Sequence, residues 1–259
     1  MILEGKTIIV SGVGPGLGLE IARVSLRDGA NVVLGARNEE KLQKLAAELD
    51  PSGTRVAYCR TDITSAEQCE ALVATAVDRF GGVDGLAQVA ALDAIFGGVR
   101  DTPESDWLAA FTTNVLGPAN LVRMVAPRLA ERGGGGIVLI GSQSMYLPQV
   151  QQIAYASSKG ALMSAMYYMA KELGPDRIRV NTVVPTWMWG PPVQGYVAMT
   201  AKQQGVSEDD IVNGITVNMP LGEIPADEDV AETVVFLLSD RARMITGQSI
   251  FVNAGELMR

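Results

Sequence analysis

Short runs of apolar residues alternate along the chain with longer segments in which apolar residues recur at helical spacing. The short runs are rich in Val and Ile and predict buried β-strands, whereas the longer segments predict amphipathic helices. Predicted strands cover residues 7–10, 31–34, 55–60, 85–89, 137–140, 178–184 and 249–252, and predicted helices cover residues 18–28, 39–49, 66–80, 104–131 and 155–173. This alternation predicts an α/β fold, a doubly wound and mostly parallel Rossmann-like sheet of about seven strands with helices on both faces.

Residues 186–221 form one long irregular stretch, and they are rich in Trp, Met, Pro and Gly. Long inserts of this kind in compact domains often act as lids. No internal repeat and no linker marks a second domain. We therefore expect residues 1–259 to form a single domain that carries residues 186–221 as a lid over its binding site.

The charge and residue usage exclude several classes of protein. A net charge of −8 disfavours a nucleic acid or an anionic membrane surface as a partner. No apolar run reaches the length of a membrane span, and the first predicted strand follows Met1 without a signal peptide. Cys59 and Cys69 are expected to be free thiols, so we expect a cytoplasmic protein. Because the chain has no histidine, we exclude a His-based triad and a zinc site and expect no metal.

A glycine-rich loop, SGVGPGLG at residues 11–18, joins the first predicted strand to the first predicted helix. Gly12 permits a sharp turn, and Gly16 and Gly18 let the backbone approach a pyrophosphate that rests on the helix N-terminus. Gly14 and Leu17 belong to the same cradle. An ordinary glycine-rich turn is the alternative, but the order of strand, loop and helix is the context that the motif requires. The loop therefore predicts a dinucleotide-binding domain.

The end of the second predicted strand indicates which dinucleotide binds. NAD-binding domains usually place a carboxylate there for the ribose 2′-hydroxyl, but this chain has Ala36 followed by Arg37. The guanidinium fork of Arg37 can pair with a 2′-phosphate, unless the residue is simply a solvated arginine at a helix start. We therefore favour NADP(H) as the cofactor and keep NAD(H) as the alternative.

Tyr155 and Lys159 stand four residues apart on a predicted helix, with Ser142 thirteen residues before the tyrosine. Residues at this helical spacing share one face, so the ammonium is expected to stabilise the phenolate and lower the pKa of Tyr155. A tyrosine of this kind can act as a general acid and base. Ser144 is a rival to Ser142 as the serine of the site, and the spacing favours Ser142.

Four elements of the chain occur in an order that resembles the short-chain dehydrogenase/reductase family over almost the whole sequence. They are the glycine loop, Asn114, the set of Ser142, Tyr155 and Lys159, and Pro185. The resemblance implies that Tyr155 is the general acid and base, that Ser142 binds the substrate oxygen, and that Lys159 bonds the nicotinamide ribose. It implies that Asn114 holds a water in a proton relay to Lys159. It also implies cofactor contacts from Asp62, Ile63, Ala90, Asn114, Tyr155, Lys159, Pro185 and Thr186.

The chain departs from the family pattern at positions that bear on the cofactor. Gln88 begins the segment QVAA, where the family usually has NNAG, and Asn253 replaces a more common aspartate. Thr186 stands where glycine is usual, and Gly190 stands where a threonine often contacts the nicotinamide carboxamide. These departures leave the nicotinamide contacts open, with Thr186 as a candidate substitute.

Large apolar side chains at the start of residues 186–221 are typical of a pocket for an apolar ligand. We expect Ser142, Tyr155, Met145, Trp187 and Trp189 to bind the substrate, although the tryptophans could instead form a subunit contact. The sequence thus predicts an oxidoreductase that moves a hydride between NAD(P)(H) and a bulky hydrophobic secondary alcohol or ketone. A non-catalytic dinucleotide sensor and a non-redox elimination on the same scaffold remain alternatives. By resemblance we expect a homotetramer.

Overall fold

The computed structural model describes residues 1–258, and within that range seven strands form one sheet. The strands are β1 (Thr7–Ser11), β2 (Asn31–Ala36), β3 (Val56–Arg60), β4 (Gly85–Gln88), β5 (Gly135–Ile140), β6 (Ile178–Pro185) and β7 (Ser249–Val252). Their spatial order is β3-β2-β1-β4-β5-β6-β7, and every neighbouring pair is parallel. The predicted doubly wound fold is confirmed.

Helices cover both faces of the sheet. They are α1 (Leu17–Arg27), α2 (Glu39–Leu49), α3 (Ala66–Phe80), α4 (Glu104–Phe111), α5 (Gly117–Glu131), α6 (Ile153–Leu173), α7 (Pro191–Gln204), α8 (Glu208–Thr216) and α9 (Asp227–Leu238). Successive strand residues point to opposite faces, so Ile8 and Val10 pack under α1, α2 and α9, whereas Ile9 packs under α3, α5 and α6. In the part of the chain that the structure describes, no helix is both long and apolar enough to cross a membrane.

Three segments differ from the sequence prediction, and one of them is α9, where no helix was predicted. The predicted helix over residues 104–131 is interrupted by a π-helical turn at Thr112–Leu116, which separates α4 from α5. Residues 186–221, predicted to be irregular, contain α7 and α8, joined at Gly205 with φ of 67°. The prolines that suggested a loop, Pro191 and Pro192, instead occupy the first positions of α7, where proline is tolerated because the first N–H groups of a helix lack partners anyway.

The strand order places the functional segments at one edge of the sheet. The chain runs outward from β1 through β2 to β3, and it then returns to β4 on the other side of β1. Ligands of open α/β sheets bind at this switch point, beyond the carboxyl ends of the strands. The glycine loop after β1 and the segments after β4, β5 and β6 all begin at that edge, so the predicted cofactor and catalytic residues meet there.

Candidate active site

The backbone of the glycine loop fits the pyrophosphate of a dinucleotide. Gly12 has φ of +95°, and a Cβ there would lie 2.2 Å from the Ala90 nitrogen, so a side chain would collide with the segment after β4. A Cβ on Gly18 would lie 2.4 Å from the carbonyl oxygen of Gly12, whereas one on Gly14 would meet nothing within 4 Å. Gly16 is the N-cap of α1 and provides no side-chain cap. The first N–H groups of α1 are therefore suited to bind an anion.

Two arginines lie at the carboxyl ends of β2 and β3, and the charges of both act on Asp62. Ala36 is the register partner of Arg60, and the Arg60 Nε donates a hydrogen bond to the Arg37 carbonyl oxygen at 3.3 Å. Both arginines are exposed. Hydrogen bonds from Thr64 lower the pKa of Asp62, and the charges of Arg37 and Arg60 add to that effect. This positive corner suits a 2′-phosphate, and Arg60 is a candidate that sequence reasoning missed because strand register brings it there.

The other predicted cofactor residues lie close to the same edge. Ile63 is buried, its side chain packs against Gly117, and its carbonyl oxygen accepts a hydrogen bond from the Asn120 Nδ2 at 3.4 Å. The Ala90 nitrogen donates to the carbonyl oxygen of Ser11 at 2.9 Å, which ties the β4 segment to β1. Pro185 is the buried last residue of β6.

Ser142, Tyr155 and Lys159 come together where β5 ends beside α6. Ser142 is hydrogen-bonded to the Tyr155 side chain. The Ser142 Oγ lies 2.9 Å from the Ser144 Oγ and accepts a hydrogen bond from the Ser144 backbone nitrogen at 3.2 Å. Of the two serines that the sequence offered, Ser142 is therefore the one bonded to the tyrosine, and Ser144 lies beside it in the same cavity.

Burial dominates the ionisation of the tyrosine and the lysine. Burial raises the pKa of Tyr155 to about 12, with a smaller opposing effect of the Ser142 hydrogen bond and a small additional rise from Asp93. The expectation that Lys159 lowers this pKa is wrong in this structure. The Lys159 Nζ lies 5.7 Å from the centre of the Tyr155 ring and donates to the Ile140 carbonyl oxygen at 2.7 Å. Burial also lowers the pKa of Lys159 to about 8, which weakens its effect as a fixed charge.

Asn114 lies buried in the π-helical turn and joins three elements. Its Oδ1 accepts from the Leu92 nitrogen at 2.7 Å, and its Nδ2 donates to the Leu92 carbonyl oxygen at 3.0 Å and to the Ser158 Oγ at 2.9 Å. Ser158 in turn donates to the Tyr155 carbonyl oxygen at 2.7 Å. The Asn114 side chain thus fixes the segment after β4 to the helix that carries the tyrosine. A π-helical turn inside a helix often marks a functional site.

A cavity of about 570 Å³ opens in front of Tyr155 and Ser142. Trp187 and Tyr196 line it, with their ring centres 5.3 Å apart, and Phe96, Leu147 and Val193 add further apolar surface. Trp189 and Met145, which the sequence also predicted to bind substrate, are not among the residues that line this cavity. Trp189 is 37% exposed, and its backbone nitrogen donates to the Pro225 carbonyl oxygen.

A polar network behind the cavity explains two departures from the family pattern. Glu256 accepts hydrogen bonds from Gln143 Nε2 at 2.6 Å and from the Thr186 hydroxyl. Asn253 Nδ2 donates to the Gln143 Oε1 at 2.6 Å. Thr186 is therefore turned towards Glu256 in this structure. The network ties the segments after β5, β6 and β7 together at the base of the cavity.

The site combines a glycine-rich loop suited to a pyrophosphate with Ser142, Tyr155 and Lys159 at the switch point of a parallel sheet, an arrangement typical of dinucleotide-dependent oxidoreductases. A family model described as enoyl-(acyl carrier protein) reductase matches residues 12–256. The chain is 33% identical over 255 residues to dehydrogenase/reductase SDR family member 4 of Bos taurus, with coverage of 98% of this chain and 88% of the relative. It is 31% identical over 255 residues to the 7alpha-hydroxysteroid dehydrogenase of Escherichia coli K12, with coverage of 98% and 94%.

A solved structure agrees with these relatives. The L-sorbose reductase of Gluconobacter frateurii, in complex with NADPH and L-sorbose, superposes with a TM-score of 0.93 at 27% identity and full coverage of both chains. These matches cover almost the whole chain, so the protein belongs to the short-chain dehydrogenase/reductase family of oxidoreductases.

Two carboxylates of the cavity could not be expected from the sequence. Asp93 lines it after β4, and Asp227 lines it at the start of α9. An acidic residue in a loop or at a helix start is ordinary in a sequence, so no local signal marks either one.

Proposed function

We propose that this protein catalyses hydride transfer between NADP(H) and a bulky hydrophobic secondary alcohol or ketone. The observation that carries the proposal is the meeting of Ser142, Tyr155 and Lys159 beside a glycine cradle, in front of a cavity with apolar walls. Membership of an oxidoreductase family supports the reaction class.

The cofactor supplies or accepts the hydride at the carbonyl carbon when it is bound. On the protein side, Tyr155 gives a proton to the substrate oxygen in the reducing direction and takes it back in the oxidising direction. Ser142 donates a hydrogen bond to the same oxygen as negative charge develops there. The pKa of about 12 favours the protonated phenol as the resting form of Tyr155.

Lys159 and Asn114 support the tyrosine in different ways. The ammonium of Lys159 is held at the Ile140 carbonyl oxygen, close to the Tyr155 ring. Its pKa of about 8 lets it hold or release a proton near neutral pH, which suits a group that resupplies the phenol. Asn114 fixes α6 relative to the segment after β4 and so keeps the tyrosine in place.

Three observations support NADP(H) over NAD(H). Arg37 and Arg60 form a positive corner at the end of β2 and β3, and Ala36 presents no carboxylate to repel a phosphate. The L-sorbose reductase that superposes on this chain was solved with NADPH.

A bulky hydrophobic substrate is supported by the cavity wall. Trp187 and Tyr196 present a broad aromatic surface opposite Tyr155, and α7, which carries Tyr196, begins directly after Gly190 at the edge of the cavity. The relatives include a steroid dehydrogenase and a sugar reductase, so the family alone does not select the substrate. We expect α7 and α8 to act as the lid that excludes water from the reaction.

A spectroscopic screen tests the proposal. Cyclic, aromatic, terpenoid and steroid alcohols are offered with NADP⁺ and with NAD⁺, and their ketones with the reduced forms, while absorbance of the reduced nicotinamide is followed. Turnover with a bulky substrate is expected, faster with NADP(H). Dinucleotide binding without turnover of any substrate would favour a sensor, and product formation without net change in the cofactor would favour an elimination.

The exposed apolar side chains of α4 to α6 support a homotetramer. Leu108, Leu116, Tyr167 and Tyr168 are 60%, 58%, 48% and 75% exposed. Met166 of α6 is fully buried against the sheet and does not contribute to this surface. Light scattering at micromolar concentration is expected to give four times the chain mass of 27.4 kDa, and a monomer mass would contradict the assembly.

A further inference from the structure

The cavity contains a carboxylate that the proposed reaction does not use. Asp227 is the first residue of α9, is 9% exposed, and lines the cavity together with Gly16 and Leu17. Among residues 1–258, no hydrogen bond or ion pair holds its carboxylate. Burial of an ionised carboxylate without a partner costs free energy, so a bound ligand or a proton would stabilise Asp227.

Gly190 makes room for this carboxylate, and Gly16 lies in contact distance of it. A Cβ on Gly190 would lie 2.1 Å from the Asp227 Oδ2, and a Cβ on Gly16 would lie 3.5 Å from the same oxygen. Gly190 has φ of −115°, a conformation open to any residue, so the requirement for glycine at that position is space and not backbone freedom. Asp227 therefore occupies the volume that a side chain at position 190 would fill, next to the first residue of α1.

The charges around Asp227 are of the same sign. Glu20 on α1 adds to burial in raising the pKa of Asp227, and Glu228 and Asp229 follow it on α9. The segment from Thr186 to Gly190 brings no charged side chain.

The cations of α1 are engaged elsewhere. Arg23 pairs with Glu20 at 3.4 Å and with Glu48 at 2.8 Å. Arg27 bonds Glu232 at 2.5 Å, and its Nη1 lies 3.8 Å from a Glu228 oxygen. In the described part of the chain, the favourable field at Asp227 therefore comes from two helix N-termini: that of α9, on which Asp227 lies, and the uncapped N-terminus of α1, which would also bind a pyrophosphate.

We propose that Asp227 makes dinucleotide binding proton-linked: its carboxylate takes up one proton from solvent when the pyrophosphate occupies the N-terminus of α1. This inference rests on the proposed function, because it requires that the cleft bind a dinucleotide. Two anions at one helix end repel each other, and protonation of an Asp227 oxygen removes the repulsion and creates a hydrogen-bond donor for a phosphate oxygen. The affinity for the dinucleotide consequently falls as pH rises through the range in which Asp227 of the dinucleotide-free protein becomes ionised.

Calorimetric titration with NAD⁺ and NADP⁺ measures the proton directly. Each titration is run at one pH in two buffers of different ionisation enthalpy, so that the difference in heat gives the protons taken up. NAD⁺ is the decisive probe because it has no 2′-phosphate that titrates in the same range. We expect net proton uptake with the unmodified protein. Asp227→Asn should abolish the uptake and tighten the NAD⁺ Kd by about tenfold at about pH 8, because the repulsion is gone.

Glu228→Gln is the matched control, since it removes one negative charge from the next residue of the same helix while its side chain is largely exposed. It is expected to retain the proton uptake. Asp227→Ala serves as a second variant if the asparagine variant fails to fold, as judged by circular dichroism. Binding of NAD⁺ without proton uptake would overturn the proposal, as would weaker binding by Asp227→Asn, which would mean that the carboxylate accepts a hydrogen bond from the cofactor. Failure of the unmodified protein to bind either dinucleotide would instead overturn the proposed function.

Discussion

On the α6 side of the cavity the polar groups are buried and have defined partners, whereas on the α7 side large side chains are exposed. Lys159 is 3% exposed and donates a hydrogen bond to the Ile140 carbonyl oxygen of β5, and Asn114 is 1% exposed and donates one to the Ser158 Oγ of α6. Tyr196 and Met199 on α7 are 41% and 53% exposed. The difference indicates that the chemistry depends on fixed geometry, while substrate recognition depends on apolar surface that can adapt.

The largest effect on the α6 side of the cavity is expected from Tyr155→Phe, which removes the hydroxyl and preserves the ring. We expect kcat to fall by about 10²–10⁴-fold, the usual range for loss of a general acid or base. The dinucleotide Kd, measured by calorimetry, should change little. Retention of most of the turnover by this variant would remove Tyr155 from the mechanism.

The contribution of the α7 side of the cavity to substrate binding is tested by Trp187→Ala. Trp187 lines the cavity with its ring tilted against that of Tyr196, and burial of one such side chain against a ligand contributes roughly 1.5–3 kcal/mol. We therefore expect KM for a bulky substrate to rise by about one to two decades, with kcat changed less. Steady-state kinetics with matched bulky and small ketones measures the effect.

Trp189→Ala is the control for that change, because Trp189 follows two residues later but is not among the residues that line the cavity. It should leave KM for the bulky substrate within about threefold of the unmodified value. Equal effects of the two substitutions would show that the aromatic wall acts through folding and not through contact with substrate.

The same two regions differ in how well the sequence predicts them. The strands and the glycine loop could be predicted from local patterns, because consecutive residues determine both a buried parallel strand and a strand–loop–helix motif. The π-helical turn around Asn114 was missed because one extra residue per turn hardly disturbs the apolar period of residues 104–131. α7 was missed because Pro191 and Pro192 resemble loop residues until the helix start is known.

Side-chain environment was the least predictable property. The spacing of Tyr155 and Lys159 is correct for one helix face, but their pKa values depend on burial by the surrounding elements, which no short motif encodes. Asp227 shows the same limit, because its significance comes from Gly190 and Gly16, which are distant in the sequence.

A smaller effect, on dinucleotide affinity, is expected at the positive corner formed by Arg37 and Arg60, which is exposed. Arg37→Ala and Arg60→Ala should each weaken NADP⁺ binding by about fivefold, because an exposed ion pair contributes little, and should leave NAD⁺ binding unchanged. Titration of both dinucleotides measures the difference. Arg79→Ala removes an arginine that bonds the Gly53 carbonyl oxygen instead, and it serves as the control. Equal loss of NAD⁺ and NADP⁺ affinity would contradict a contact with the 2′-phosphate.

The last prediction concerns the stability cost of burying Lys159 on the α6 side of the cavity. Burial lowers the pKa of Lys159 to about 8 from a model-compound value of 10.5, so the unfolded chain binds more protons between those limits. Stability from this site is therefore fully present above the unfolded pKa and is lost as pH falls through the folded pKa. Lys159→Met removes that cost, and it should abolish turnover while it raises the free energy of unfolding at neutral pH by on the order of 2 kcal/mol.

The pH profile separates this cause from ordinary repacking. The stability difference between Lys159→Met and the unmodified protein should be largest below the folded pKa and should shrink as pH rises towards the unfolded value, because both proteins then bury a neutral group. Thermal melts at about pH 7 and about pH 10 measure it, with an expected change in Tm of a few degrees at the lower pH. Lys171→Met, which removes an exposed lysine from the same helix, should show no such dependence. A stability difference that does not vary with pH would mean that folding does not shift the pKa of Lys159, and its proposed part in proton supply near neutral pH would then fail.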